Sequence, residues 1–284
     1  MTGEPTLRDA SPAAVWTRRL KIAALGARRL VAWGTRPDEF PAPRTSSRPL
    51  PHVVWATRVG LSRPNEHPTF EAGKKHNLAL AAPRFDGVVL APGETFSFWR
   101  ALGRVTEARG YRYGMELAGG CIVPAIGGGL CLLARVLFQA AACAGLRIDE
   151  RHGHSMEAVE PPPGVPRGLD ATVLWPYVDL RFSAVERGVR FGVQVRDDAL
   201  LVSVTADRLL AERFELDTVD ERITQEADGR IRHNRVVRHR IGPDGARHTE
   251  DLGRNRTRLL TPERQQRNCL TCGETACHAR VEVA

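Results

Sequence analysis

Three consecutive glycines precede a cysteine in Gly127-Gly128-Gly129-Leu130-Cys131, and an apolar segment follows to about Ala144 before Gly145 closes it. A thiol in that setting has a physical use. Backbone without side chains turns sharply and presents free N–H groups, while the positive end of a helix lowers a thiol pKa and stabilises a developing anion. A cysteine nucleophile also needs a base and a group that orients the base. Candidates follow in order: His152 and His154 in Glu150-Arg151-His152-Gly153-His154-Ser155, then Asp170 in Gly168-Leu169-Asp170-Ala171-Thr172. The reading is Cys131 as nucleophile, His154 as base and Asp170 as orienter. Gly127, Gly128, Gly129 and Ser155 are the substrate-binding positions, with the glycine N–H groups holding an oxyanion. A structural reading stands beside it. Free cysteines are among the most buried residues, a histidine can serve a backbone carbonyl, and an aspartate can cap a turn or strand edge. Cys143, on the same helix, reads as core; Cys121 is open, since its hairpin can bring it near Cys131.

A second cysteine group lies near the end, in Asn268-Cys269-Leu270-Thr271-Cys272-Gly273-Glu274-Thr275-Ala276-Cys277-His278. Cys-x2-Cys with glycine next lets two thiolates grip one metal from a tight turn. Zinc takes four protein ligands in a closed site, so Cys269, Cys272, Cys277 and His278 form the candidate set, although ligation by adjacent residues strains the geometry. An iron–sulfur cluster on the three cysteines is the alternative, with a spacing unlike the standard ferredoxin run.

Composition narrows the setting. The chain has 284 residues, 42% of them hydrophobic, which suffices for a core in one large domain or one domain with an appendage. The net charge of +8 invites a nucleic-acid reading, but all 41 basic residues except Lys21, Lys74 and Lys75 are arginine. They are dispersed and not interleaved with stacking aromatics, so no nucleic-acid partner is expected. No apolar run approaches the roughly 18–20 residues of a membrane span, and Met1-Thr2-Gly3-Glu4-Pro5 lacks the order of a secretory signal. A cytoplasmic bacterial protein is the expectation. In such a chain clustered cysteines point to metal or catalysis more than to disulfides.

The elements that must position these residues follow from periodicity. Ser11-Pro12 opens an amphipathic helix in which Val15, Leu20, Ala23, Ala24, Leu30 and Val31 alternate with arginine pairs. It reads as packed on the domain, with attachment to an anionic membrane surface as the other option. Residues 35–50 carry four prolines and two serines and read as a linker. A short helix through Asn77–Ala81 leads to a strand at Val88–Leu90, a Pro92-Gly93 turn and the alternating Thr95–Phe98. A hairpin with Gly119-Gly120 delivers Cys121-Ile122-Val123 to the glycine loop. Downstream the period becomes two, giving strands at 146–149, 171–174, 178–182, 190–195 and 201–204. Asp228-Gly229 and Asp244-Gly245 read as turns around a strand at Val236-Val237. The expected fold class is α+β: a central helix packed on an antiparallel sheet, with a β-rich C-terminal part. The divisions are 1–50 (helix and linker), 51–205 (core) and 206–284 (β-hairpin extension with the cysteine cluster).

Cysteine on a helix N-terminus, then histidine and aspartate on successive strands, is similar in layout to papain-like and transglutaminase-like cysteine enzymes. A more extended resemblance rests on Asn77-Leu78-Ala79-Leu80-Ala81-Ala82, Pro92-Gly93-Glu94-Thr95-Phe96-Ser97-Phe98-Trp99-Arg100, Gly127-Gly128-Gly129-Leu130-Cys131, Ala144-Gly145-Leu146, Glu150-Arg151-His152-Gly153-His154-Ser155 and Asp170-Ala171-Thr172-Val173. In this order they resemble the VanW family, named for an accessory protein of B-type vancomycin-resistance clusters. The match is close over roughly residues 74–185, and the whole length looks like the short members without membrane anchor or extra domains. The resemblance implies a link to glycopeptide resistance or cell-wall metabolism, a cell-wall or peptide-like small molecule as partner, and Cys131, His154 and Asp170 on recurring motif positions. One departure is Leu132, where the family pattern has Gln; the hydrogen bond that Gln could donate would pass to the glycine-loop backbone. Three functions remain in view: a Cys-His-Asp acyl-transfer or amide-hydrolysing enzyme, a noncatalytic binding module for a cell-wall precursor or protein partner, and a metal or redox protein using the tail cysteines.

Overall fold

The computed structural model describes residues 12–37, 40, 42–63, 66–118, 121–157, 166–227, 229–260 and 269–272. Helix α1 (Pro12–Thr35) is followed by the short strand β1 (Arg44–Thr45), β2 (His52–Gly60) and helix α2 (Pro68–Ala81). Strands β3 (Val88–Leu90) and β4 (Thr95–Ser97) lead to the one-turn helix α3 (Phe98–Leu102), and the hairpin β5 (Tyr113–Ala118) and β6 (Cys121–Ile126) leads to helix α4 (Leu130–Cys143). Then come β7 (Arg147–Glu150), β8 (Met156–Glu157), β9 (Arg181–Ser183), β10 (Val189–Arg196), β11 (Ala199–Ala206) and three long strands, β12 (Arg213–Glu226), β13 (Gly229–Ile241) and β14 (Arg247–Leu259).

The fold is α+β and rich in strands, but the strands do not form one sheet. Five are ordered β1-β3-β10-β11-β2; four are ordered β12-β13-β14-β8; β4-β9-β7 make a third sheet and β5-β6 a two-stranded ribbon. Pairing is antiparallel throughout except between β14 and β8. Strand β1 lies inside the proline-rich stretch read as a linker and pairs with β3 through Arg44↔Val89 and Thr45↔Val88. Residues 171–174 form no strand; only a bridge joins Leu174 to Val178.

Helix α4 is apolar on nearly every face and is accordingly central. Leu133, Ala134, Val136, Phe138, Ala140, Ala141 and Ala142 are fully buried. The helix packs against β11, β12, β7 and α2. Gly145 ends it in the left-handed conformation at φ 80°, where a glycine carries no Cβ penalty. Helix α1 packs on the domain by a narrow polar and aromatic face. Arg29 grips Glu150 through both terminal nitrogens at 2.9 and 2.7 Å, and Trp33 meets Trp175 edge-on with ring centroids 5.3 Å apart. Leu20, Leu25, Leu30 and Val31 point outward. Among the described residues, no helix is long and apolar enough to cross a membrane.

Candidate active site

The glycine turn that delivers Cys131 is clamped by Asn77 of α2, which is fully buried. Its Nδ2 donates to Arg112 O at 2.9 Å and Gly128 O at 3.0 Å, and its Oδ1 accepts from Arg112 N–H at 2.8 Å. A side chain cannot be accommodated here. A Cβ on Gly128 would lie 2.2 Å from the Gly114 carbonyl carbon, and one on Gly129, whose φ is 97°, would lie 2.5 Å from Lys74 Cγ. Lys74 is itself buried in an ion pair with Glu66. Gly128 therefore lets the turn meet β5 backbone to backbone, and Gly129 lets Lys74 of α2 lie against the start of α4.

Their N–H groups differ in availability. Gly127 donates to Arg112 O at 3.0 Å, Gly128 to Ala125 O at 3.0 Å and Leu130 to Gly127 O at 3.3 Å. Among the described residues, the N–H groups of Gly129 and Cys131 make no hydrogen bond. These two are the donors left for an anion at the helix start.

Cys131, His154 and Asp170 come together although 39 residues separate the first from the last. Asp170 Oδ2 accepts from the His154 backbone N–H at 3.2 Å and makes a short contact with His154 Nδ1. The ring's other nitrogen is left for the Cys131 thiol. Cys131 Sγ also lies 3.5 Å from Thr172 Oγ1 and 3.9 Å from Val173 O. Burial by itself raises the thiol pKa. Hydrogen bonding and the charge of His154, then Thr172 and the Val173 backbone, outweigh it and hold the thiol below its ordinary value. For His154, burial disfavours the cation, but Asp170 and Cys131 on its two sides push its pKa up to about 10. Burial likewise opposes the charged form of Asp170, and His154 with Arg151 overcomes it, bringing the carboxyl down to about 2. All three shifts favour a thiolate, an imidazolium and a carboxylate in a row.

A buried arginine supports this row. The Arg151 side chain is 2% exposed. Its Nε donates to Asp170 O at 2.7 Å, and its Nη2 to Gly168 O at 2.7 Å, Asn255 Oδ1 at 3.0 Å and Asp170 Oδ1 at 3.3 Å. Its guanidinium lies 5.0 Å from the Phe138 ring centroid, over a residue of α4. Strands β13 and β14 complete the frame. Asn255 Nδ2 donates to Asn234 Oδ1 at 2.8 Å, Asn234 Nδ2 donates to Arg167 O at 3.0 Å, and Thr257 Oγ1 donates to His154 O at 3.0 Å. Sequence reasoning missed Arg151, Thr172 and Asn255; Arg151 and Thr172 lay within motifs already singled out, whereas Asn255 gave no local signal.

The remaining candidates lie elsewhere. Ser155 is exposed and offers its carbonyl to Arg258 N–H at 2.9 Å. His152 is exposed and meets Glu150 Oε1 at 3.1 Å. Leu132 is buried in the hydrophobic core. Cys143 sits at the far end of α4, where burial pushes its thiol up to about 11. Cys121 lies on β6, in the ribbon that leads into the glycine turn. Cys269 and Cys272 lie on a turn joined to β6 by the bond from Cys269 N–H to Ile122 O at 2.9 Å. Cys277 and His278 are outside the described residues, and among those described no three His, Cys, Asp or Glu side chains group as metal ligands.

Comparison with known proteins shows what this chain is similar to. A family model described as VanW like protein matches residues 73–205, a range that contains Cys131, His154 and Asp170 and ends before β12. The chain is 28% identical over 196 residues to the vancomycin B-type resistance protein VanW of Enterococcus faecalis, covering 68% of this chain and 71% of that protein. It is 30% identical over 154 residues to the uncharacterized protein YoaR of Bacillus subtilis, covering 53% of this chain and 50% of the relative. No solved structure matches.

Proposed function

Given that residues 73–205 make this chain a member of the VanW family, we propose that it is a cysteine enzyme of glycopeptide resistance or cell-wall metabolism. It acts by acyl transfer or hydrolysis on an amide in a peptide-like molecule. The observation that carries the reading is the row Cys131–His154–Asp170 at the N-terminus of α4. The relative's name supplies the resistance setting, and the chain order of nucleophile, base and orienter is similar to that of papain-like and transglutaminase-like enzymes, although His154 and Asp170 lie in loops rather than on the expected strands.

In this scheme the Cys131 proton resides on His154, and the thiolate adds to the amide carbonyl carbon. The oxyanion meets the N–H groups of Cys131 and Gly129. The C–N bond then breaks, His154 returns its proton to the leaving nitrogen, and an acyl thioester remains on Cys131. Water, or an acceptor amine, gives a proton to His154 and attacks the thioester, releasing the acyl product and restoring the thiol. Asp170 keeps the imidazole oriented and stabilises its charged form.

The test is alkylation of the intact protein by iodoacetamide at graded pH, mapped by peptide to each of the six cysteines. Cys131 is expected to react selectively well below the ordinary thiol pKa of about 8.5. A Cys131 that is inert in folded protein, or no faster than the others, sinks the reading. The noncatalytic binding module then takes its place, with Cys131→Ser retaining function and losing only stability. The tail Cys-x2-Cys is a separate proposal of a zinc or iron–sulfur site, supported by the residue types of Cys269 and Cys272 and by their turn's attachment to β6. Metal content and the optical spectrum of anaerobically purified protein test it, with loss of the metal in Cys269→Ser.

A further inference from the structure

Arg135 lies four residues beyond Cys131 on α4. Residues at that spacing share a helix face, with Cβ atoms about 5–6 Å apart. Its Nε is buried without a hydrogen-bond partner, and among the described residues the guanidinium makes no hydrogen bond or ion pair. The attractive charge that acts on it is Asp170, which makes no direct contact with it. A half-buried cation with no ion-pair partner of its own is costly, so native proteins rarely leave one so unless something else completes it. The neighbouring charge deepens the puzzle. Arg63, which follows β2, has no ion pair among the described residues either, and its charge acts on Arg135 and on Lys74. The carboxylates at hand are committed: Glu66 to Lys74, and Asp170 to His154 and Arg151. Arg151, by contrast, shows what a settled arginine looks like here, with four donor contacts.

We propose that Arg135 receives a carboxylate of the substrate, one helical turn from the thiol, in a field to which Arg63 adds positive charge. The cleaved or transferred amide would then lie next to a free carboxyl group, as at the C-terminus of a peptide. A guanidinium fork matches a carboxylate bidentately, and the ion pair so formed supplies Arg135 with the direct partner it lacks among the described residues. This rests on the active-site reading above for the position of the scissile bond, but not for the anion site itself.

The experiment compares two alkylating agents of similar size at Cys131, anionic iodoacetate and neutral iodoacetamide, at low salt. They are applied to the wild-type protein, Arg135→Gln, Arg135→Lys and Arg63→Gln. His154 remains in every variant, so its contribution cancels. The rate ratio of iodoacetate to iodoacetamide is expected to fall about tenfold or more in Arg135→Gln, the size of one charge-assisted contact, to fall less in Arg63→Gln, and to recover in Arg135→Lys. An unchanged ratio in Arg135→Gln overturns the proposal. The pH profile with iodoacetamide alone reports on the nucleophile reading, so the two can fail separately. If neither reagent reaches the thiol, calorimetric binding of an N-acetylated dipeptide and of its C-terminal amide decides. Preference for the free acid, lost in Arg135→Gln, upholds the proposal; equal binding overturns it. Inorganic phosphate displacing the dipeptide better than acetate does would replace the carboxylate by a phosphate and overturn it in that form.

Discussion

Helix α4 carries a cysteine near each end, and the two ends give the thiol opposite characters. Cys131 and Cys143 are separated by about 18 Å along the axis at 1.5 Å per residue. Both are largely withdrawn from water, which raises a thiol pKa in each case. At Cys143 burial prevails against Arg238, and the pKa rises to about 11. At Cys131 the same penalty is overcome by His154, Thr172 and the Val173 backbone. Residue type and burial are shared; an imidazole held by Asp170 is not. Two aspartates repeat the lesson. Asp170, between His154 and Arg151, is brought down to about 2, whereas Asp179, whose side chain meets Ser97 and backbone N–H groups, is raised to about 6.

The sharpest way to break the contrast is to remove His154. In His154→Ala burial is left as the principal influence on Cys131, so its pKa should rise toward that of Cys143. The rate of iodoacetamide labelling at pH 6–7 is expected to drop about 10²-fold, the lower range for a positioned proton-transfer partner. Labelling of Cys143 should not change. A Cys131 rate within a factor of two of wild type would show that the helix end, Thr172 and the Val173 backbone activate the thiol without the imidazole.

Arg151 tests whether the site's end of α4 depends on its frame. Arg151→Met keeps much of the apolar contact with Phe138 but strands Asp170 Oδ1 and the carbonyl oxygens of Gly168 and Asp170. Removing one partner of a buried charge network costs about 3–5 kcal/mol. For a chain of this size that corresponds to a fall in Tm on the order of 10 °C. Cys131 labelling should slow as Asp170 loses its anchor. A melting point within 2 °C of wild type would mean that the backbone, not the guanidinium, holds Asp170.

The ends of α4 were legible in the sequence because their signals are local. The glycines before Cys131 and Gly145 after Ala144 mark the boundaries, and the helix runs from Leu130 to Cys143 between them. His154 and Asp170 were nameable because each has chemistry that few residue types share. Their supports were not. Asn255 becomes a site residue only because β14 pairs with β13 over Ile231↔Arg258 to Ile241↔Arg247 and brings Asn234 and Asn255 face to face. Such pairing links residues through contacts that a local period cannot show. The sheet count failed for a related reason. Alternation of period two reveals that a segment is extended but not which edge it joins, so β2, paired with β11, and β4, paired with β9, fall into different sheets without any local mark. Residues 171–174 alternate like a strand yet serve as irregular backbone that holds Thr172 and the Val173 carbonyl against Cys131.

The smallest effect separates the two aspartates by pH. Asp179 is fully buried, its Oδ2 accepts from Ser97 Oγ at 2.5 Å, and its Oδ1 accepts from the N–H groups of Trp99 and Leu180 at 3.2 and 2.9 Å. Burial pushes its pKa to about 6 and the Glu150 charge adds to that, against the hydrogen bond from Ser97. A carboxyl whose folded pKa is raised binds its proton more tightly when folded. Its contribution to stability is therefore fully present below its ordinary value near 3.8 and is lost as the pH rises through about 6. Asp170 has the opposite sign: its contribution is present above its ordinary 3.8 and is lost as the pH falls through about 2. In Asp179→Asn the group no longer titrates, so the Tm difference between variant and wild type should move in the variant's favour between pH 4 and pH 6.5. The change should be about 1–3 kcal/mol in stability, at 1.36 kcal/mol per pKa unit. A Tm difference that stays flat across that window would show that Asp179 is charged at both ends of it. The contrast with Asp170 would then lie in geometry rather than in protonation.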